Sequence, residues 1–551
     1  MNGAAPPRLA ERWSVVVCAL IAAVLWTGPW LLRQDLYYDD AAHHVFWLYR
    51  YADPDVFPGD ISIDYFGTSA PWGYRFLYLL LAPVLDAQVA AEALAALLLM
   101  ASVLLVWQIG RHAAARLPEM AGLLAVVALA VFMVLQKDLL PPIAFQRSFS
   151  LPLMLLTMWA LVSRRYAWVG VSWLAAALVY PVVLPVQGLT AAVVFLSDRI
   201  SHRRMPPHSI LNAILGATAL LIAALGVPVP PEIGPAYSYV QAMQMPEFGP
   251  QGRLRMYEEG TVAYWLGGHR AGFGWSGWRL LLIVAATALA AGLGRLKSIP
   301  LAAWAMAGFG VALWAAMRLF PEQLMFGLYL PNRHPKWALA VFGIFALTAA
   351  AAAACDWLIR RWRTESPTQA AALQRGLLVG APLLVAAVLL PNAISVWNRP
   401  VNTGLEGAYT FIAGLPNDTL VAAHPDLGDF VPLRTRRSVL TSTEISMAWM
   451  KGYYAVMKPR VEASLRAAYA TRIEDVDAAL APFGVDIMLT GPSVWEKTGY
   501  FAPFDELVQG LLERGRREGF VLQHPPADRV LFQSGGYYVI RVEPCPQGGC
   551  Q

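Results

Sequence analysis

Charge is what this 551-residue chain has least of: 14% of its residues are Asp, Glu, Lys or Arg, against 57% hydrophobic, with a mean hydropathy of +0.47. Soluble domains carry about a quarter charged residues, so that class is excluded and a polytopic membrane protein remains. Cysteine is equally scarce, with four in all, which rules out a disulfide-built scaffold. Cys18 and Cys355 lie in or beside apolar runs and read as small core hydrophobes. Cys545 and Cys550 close the chain as Cys-Pro-Gln-Gly-Gly-Cys and can pair locally if that tail is extracytoplasmic. No P-loop, GxSxG, HExxH or CxxC zinc pattern occurs, so NTPase, serine hydrolase and zincin chemistry have no support. There is no internal repeat or low-complexity tract. The net charge of +5 comes from short basic clusters between apolar runs, which is not a nucleic-acid-binding pattern.

What is present is a series of apolar runs near the length that crosses a bilayer, roughly 17 to 25 residues. They are Ser14–Leu32, Gln88–Ile109, Pro118–Leu135, Phe149–Val162, Ala167–Tyr180, Val182–Leu196, Ile210–Val227, Trp278–Leu293, Ile299–Met317, Trp337–Ala354 and Gly376–Val396, about eleven spans. The first follows Arg8 and Arg12 but lacks a small-residue cleavage site, so it reads as an uncleaved span. One further run, Trp72–Leu85, decides the topology. Left uncounted, it puts Arg111, Arg116, Arg164, Arg165, Arg199, Arg203, Arg204, Arg295, Lys297, Arg360, Arg361 and Arg363 on the side of the N-terminus. Cytoplasmic loops hold the excess of Lys and Arg. Trp72–Leu85 therefore reads as a membrane-surface or re-entrant segment, and the N-terminus as cytoplasmic.

The expected fold is mainly α: a helix bundle over residues 1–399, with outer loops at 33–87 and 228–277. After Arg399 the composition becomes that of a soluble domain, and residues 400–551 read as an extracytoplasmic α/β domain. Short strands are expected at Leu420–Ala423, Ser438–Leu440, Val485–Leu489 and Tyr537–Val542, and helices at Glu444–Ala470 and Phe504–Glu518. The Ala- and Arg-rich composition suggests a bacterial plasma membrane.

Chemistry-bearing groups gather on the outer side. Directly after the first span stand Asp39 and Asp40, followed at helical spacing by His43 and His44. Acidic residues also favour the first turn of any surface helix. The same loop holds Asp53, Asp55, Asp60 and Asp64, so a divalent metal (Mg or Mn) is an open alternative, although no EF-hand spacing occurs. Cations that remain outside go against the topological bias: Arg147, Arg333 and Lys336 sit at span ends and suit a lipid phosphate, although snorkelling to headgroups would place them there too. Lys137, Arg253 and Arg318 are further outer-side cations. The second large loop offers Tyr257, Glu258, Trp265, His269 and Arg270 as a substrate-binding surface, where aromatics also serve as interface anchors. In the last domain, His424, Asp426 and Asp429 follow a strand and read more readily as turn chemistry than as a site.

The acidic pair in Tyr37-Tyr38-Asp39-Asp40, placed after a first span and ahead of a many-span bundle with a C-terminal outer domain, resembles the GT-C superfamily of membrane glycosyltransferases. That resemblance implies a polyprenyl-phosphate-linked sugar as donor and a glycan, lipid or protein acceptor. It also implies that Asp39 acts as general base or metal ligand, with Asp40 as companion. The WWD-type signature of oligosaccharyltransferases is missing. Two other readings use the same loops: a transporter or flippase for lipid-linked glycans, and an assembly subunit. Mid-span charges favour transport, and these spans contain almost none.

Overall fold

The computed structural model describes residues 9–543 except 34, 114–117, 204, 259, 267–269, 276 and 366. The apolar runs fold as helices α1 Leu9–Trp26, α2 Ala87–Ala113, α3 Pro118–Leu135, α4 Ser150–Val162, α5 Ala167–Val179 and α6 Leu184–His202. These continue as α7 Ser209–Leu225, α8 Trp278–Gly292, α9 Leu301–Leu319, α10 Arg333–Glu365 and α11 Pro367–Trp397. Seven of them (α1, α2, α3, α6, α9, α10 and α11) are long and apolar enough to cross a membrane. The other four run 13 to 17 residues, less than the about 20 usually needed. Pro382 and Pro391 lie inside α11, tolerated because packed neighbours can satisfy the freed backbone groups.

Helix α10 is the centre of the bundle, with Trp337 and Phe345 among the largest fully buried side chains. Helix α9 reaches it through Gly310, where an added Cβ would lie 2.6 Å from that of Ala338 and 2.8 Å from the His334 carbonyl oxygen. Small residues allow such close approach where lipid offers no hydrophobic drive to pack.

The segment at Trp72 is a helix of 10 residues, Trp72–Leu81. Its rise of about 15 Å cannot cross a hydrocarbon core of about 30 Å. Tyr74 and Tyr78 are buried against the bundle, while Trp72, Phe76, Leu79 and Leu80 are exposed. One face is thus packed and the other apolar and open, as a surface-lying helix requires.

The last domain carries helices α12 Thr403–Ala413, α13 Lys451–Ala468, α14 Ile473–Leu480 and α15 Asp505–Glu518 around one sheet. Its strands are β1 Leu420–Ala423, β2 Ser438–Val439, β3 Ile487–Thr490, β4 Val530–Ser534 and β5 Tyr537–Arg541, in the order β2-β1-β3-β5-β4. Strand β1 pairs in parallel with β2 and β3, and β5 pairs antiparallel with β3 and β4. Sequence reading finds four of the five; β4 escapes it although Gly535-Gly536 marks the hairpin turn.

The expected helix from Glu444 begins only at Lys451. The second large loop prevents the earlier start. Tyr237 N–H donates to the Trp449 carbonyl at 3.1 Å, Lys451 N–H to that of Pro235 at 2.9 Å and Tyr453 N–H to that of Ile233 at 3.0 Å. Gly452 is required there: a Cβ would come within 2.3 Å of the Glu232 carbonyl oxygen. Residues 449–451 therefore run against the loop, and the stretch before them holds only a short turn at 443–445. Cys545 and Cys550 lie outside the described residues.

Candidate active site

The bundle ends that face the sheet domain enclose a cavity of about 590 Å³. Three elements supply most of its charge, and each has a physical reason to point there. The chain leaving α1 turns at Trp30 and brings Asp39 and Asp40 to the start of the one-turn helix Ala41–His44. The 3-10 turn Gln146–Phe149, which leads into α4, presents Arg147. The first turn of α10 presents Arg333 and Lys336. Cations in a first helical turn oppose the helix dipole, whose N-terminal end is already positive. A bound anion is the feature that removes this conflict.

Asp39, Asp40, Arg147, Arg270, Arg333 and Lys336 thus line one space, although 294 residues separate the first from Arg333. Lys137, Asp138 and Arg399 complete its charge, giving six cations against three carboxylates. Trp30, Val396 and Phe430 form apolar parts of the wall.

The two adjacent acids differ in their partners. Asp40 forms an ion pair with Arg147, whose guanidinium also lies 4.6 Å above the Phe145 ring. Asp39 opens to the cavity and, among the described residues, makes no ion pair or side-chain hydrogen bond. Protein crowding on its closed side, then Glu444 and Asp40, push its carboxyl above the ordinary range, against His43 and Arg253. Asp39 is the carboxylate left available to take a proton.

The cations divide in the same way. Lys336 Nζ lies 2.7 Å from Asp138, and Tyr38 donates its hydroxyl to the same carboxylate at 3.3 Å. Burial pushes Asp138 up, but Lys336 and Arg147 outweigh it and hold the group well below the carboxylate range. Arg270 and Arg333 have no carboxylate partner among the described residues, and the Nε of each is buried without an acceptor. Burial, then Arg253, bring Arg270 down to about 10. Two guanidiniums left unsatisfied in a closed wall are the electrostatic counterpart of an absent anion.

His43 and His44 sit behind the acids. His43 Nδ1 is 2.8 Å from Glu444 of the sheet domain. The two imidazoles lie 4.0 Å apart, and His44 stacks on Phe145 at 5.0 Å. Burial, then His43 and Arg147, hold His44 well below its usual range. Asp40, His43 and His44 place one ligand atom each within 4.8 Å of one another. Two imidazoles and one carboxylate suit Zn²⁺ or Mn²⁺ and not Mg²⁺, which prefers oxygen.

Other expected residues lie elsewhere. Tyr257, Glu258 and Trp265 do not line the cavity. Glu258 pairs with Arg255 at 3.4 Å, and Trp265 packs edge-on against Trp314 of α9 at 5.7 Å. Arg318 binds the Tyr264 carbonyl and lies 3.6 Å from that ring's centroid, so this stretch is an anchor on α9. Interface aromatics look alike in sequence whether they anchor or bind. His269 lies outside the described residues. Asp138, Arg399 and Glu444 escape sequence reading; only the Lys137-Asp138 dipeptide at a span end signals the first.

No known family profile matches the sequence, and no curated protein matches it. Among solved structures the chain is similar to ArnT from Cupriavidus metallidurans in the apo state, at 15% identity and a TM-score of 0.47 over 98% of this chain and 99% of that one. It is also similar to the same protein bound to undecaprenyl phosphate, at 15% identity and a TM-score of 0.44 over 97% and 99%. A third is the oligosaccharyltransferase AglB from Archaeoglobus fulgidus in complex with an inhibitory peptide and a dolichol-phosphate. It shares 11% identity at a TM-score of 0.39, over 87% of this chain and 69% of that one.

Proposed function

We propose that the chain is a GT-C-type membrane glycosyltransferase that moves a sugar from a polyprenyl-phosphate-linked donor to an acceptor hydroxyl. The observation that carries this reading is one cavity in which an unpartnered carboxylate, Asp39, faces a cationic wall containing the unpaired Arg270 and Arg333. A charge-rich wall of that sign suits a phosphate, and the apolar wall at Trp30 and Val396 suits the start of a prenyl chain.

In the proposed step Asp39 takes the acceptor's proton as the acceptor oxygen attacks the anomeric carbon. The bond from that carbon to the phosphate oxygen breaks, and its electron pair leaves with the phosphate. Attack opposite the leaving group inverts the centre. Arg270 and Arg333 stabilise the departing charge, supported by Arg147 and Lys336, whose own carboxylate partners hold them in place. If a divalent ion takes part, Asp40, His43 and His44 are the residues that would hold it, and it would supply further positive charge at the phosphate.

Apart from Phe430 of the sheet domain, every residue lining the cavity comes from the domain-side end of a bundle helix or from the connections there. A one-sided space fits transfer at one membrane face better than passage across it. The excess of Arg and Lys in the opposite loops supports a cytoplasmic N-terminus and an extracytoplasmic cavity in a bacterial plasma membrane. The test is an assay of purified protein against a panel of polyprenyl-phosphate sugars. Asp39→Asn should nearly abolish transfer while leaving insertion and melting intact, and wild-type rates in that variant would sink the assignment.

A further inference from the structure

One residue outside the cavity's lining reaches the turn that carries Asp39. Glu444 follows β2 in the sheet domain and stands in the short turn at 443–445, just ahead of the residues that pair with the second large loop. Its Oε2 lies 2.8 Å from His43 Nδ1, and its Oε1 lies 2.9 Å from an Arg253 nitrogen. Its backbone N–H donates to Asp429 Oδ1 at 2.7 Å. One carboxylate therefore joins the first loop, the second loop and the sheet domain.

The join continues to the catalytic turn. His43 lies against His44, His44 stacks on Phe145, and Phe145 lies under the Arg147 guanidinium that pairs with Asp40. The helix Ala41–His44 is a single turn and cannot hold Asp39 and Asp40 in place by itself. It is clamped at both ends, by Arg147 through Asp40 and by Glu444 through His43. This gives the adjacent histidines a role as links in the clamp.

Resting on the transferase reading, we propose that Glu444 is a positioning residue of the site: it fixes His43, and with it the turn that carries Asp39. The charge is permanent. Burial pushes Glu444 up, but Arg253 and His43 outweigh it and hold the carboxyl well below its usual range. Asp39 is faced by Asp40 and His43 from its own loop, by Arg253 from the second loop and by Glu444 from the domain.

The experiment combines Glu444→Gln, His43→Gln and the double variant in full-length protein, with two readouts. Glu444→Gln should lower kcat on the order of 10²-fold, the scale of a slight misplacement of a reacting group, with KM for the polyprenyl-phosphate sugar near wild type because the phosphate wall is untouched. A purely structural role would reduce folded protein and leave kcat of the folded fraction in place, and an unchanged kcat overturns the proposal. Melting in detergent reads the clamp without any activity. Each single variant should melt lower than wild type, and the double variant should lose less than the sum of the two, because the His43–Glu444 contact is counted in both. Additive losses would overturn the clamp. If wild-type protein transfers no sugar from any donor, the transferase reading fails on that result, and the melting cycle still decides whether Glu444 holds His43.

Discussion

Two stretches of this chain set histidine beside aspartate, and the protein uses them in opposite ways. In the first, residues 39–44, Asp39 is left open to a cavity with unpaired guanidiniums in its wall. In the second, residues 424–429, the same residue types are consumed by partners. His424 accepts from the Asp426 backbone N–H at 3.2 Å, and its other nitrogen lies 3.1 Å from the Tyr469 hydroxyl. Asp426 pairs with Lys497 at 2.6 Å and accepts from Thr443 at 2.5 Å. Residue type does not separate a site from a scaffold; what remains unsatisfied does. Buried polar groups are paired almost without exception, so an unpaired one inside a cavity wall is informative.

The sharpest break is between Asp39 and Asp426. Asp39→Asn should lower kcat by about 10²–10⁴-fold, the usual contribution of a general base. Asp426→Asn should leave kcat of the folded protein near wild type. If both lose activity equally, the contrast between an open and a closed cluster is wrong.

The next effect belongs to the unpaired cations. Arg333→Ala and Arg270→Ala should each cost about 10²–10³-fold in kcat/KM, the scale of losing one preorganised donor to a developing charge. Part of that loss should appear as weaker binding of polyprenyl phosphate, measured by calorimetry in detergent. Full affinity in both variants would remove the phosphate from this wall.

Much of the cavity is legible in sequence because membrane topology makes certain charges anomalous. Arg147, Arg333 and Lys336 stand where the positive-inside bias disfavours them, and Asp39-Asp40 stands at a span exit. Their partners are not legible. Asp138 meets Lys336 across 198 residues, and Glu444 meets His43 across 401, a pairing that no local pattern encodes. Trp265 shows the reverse: its local chemistry fits a binding loop, and the structure packs it edge-on against Trp314 of α9. The late start of α13 has the same origin, since the second loop takes the backbone groups that an earlier helix would need. Hydrophobic period locates helices; long-range contacts decide where they begin.

The closed cluster should announce itself in stability. His424→Ala leaves the Tyr469 hydroxyl and the Asp426 N–H unsatisfied in a buried place, a loss of about 1–3 kcal/mol. It should appear as a lower melting temperature with kcat of the folded fraction unchanged. A fall in kcat without a fall in melting would place His424 in the chemistry instead.

The smallest effect concerns Asp429, at the end of the second region, which is raised from 3.8 to about 8 by burial and by Glu444, against Arg253 and the hydrogen bonds it accepts. Its folded form holds a proton that the unfolded chain has lost above pH 4, so the folded state binds more protons over that window. Stability then falls as pH rises from about 4 to about 8. His424, lowered from 6.5 to about 4 chiefly by burial, acts in the other direction, because its stability is lost as pH falls below 6.5. Comparing wild type with Asp429→Asn cancels His424 and every other shared group. The melting temperature of wild type minus that of the variant should decline steadily between pH 4 and pH 8. A difference that stays constant means Asp429 ionises at its ordinary pH, and Glu444 then has no protonated neighbour holding it from the domain side.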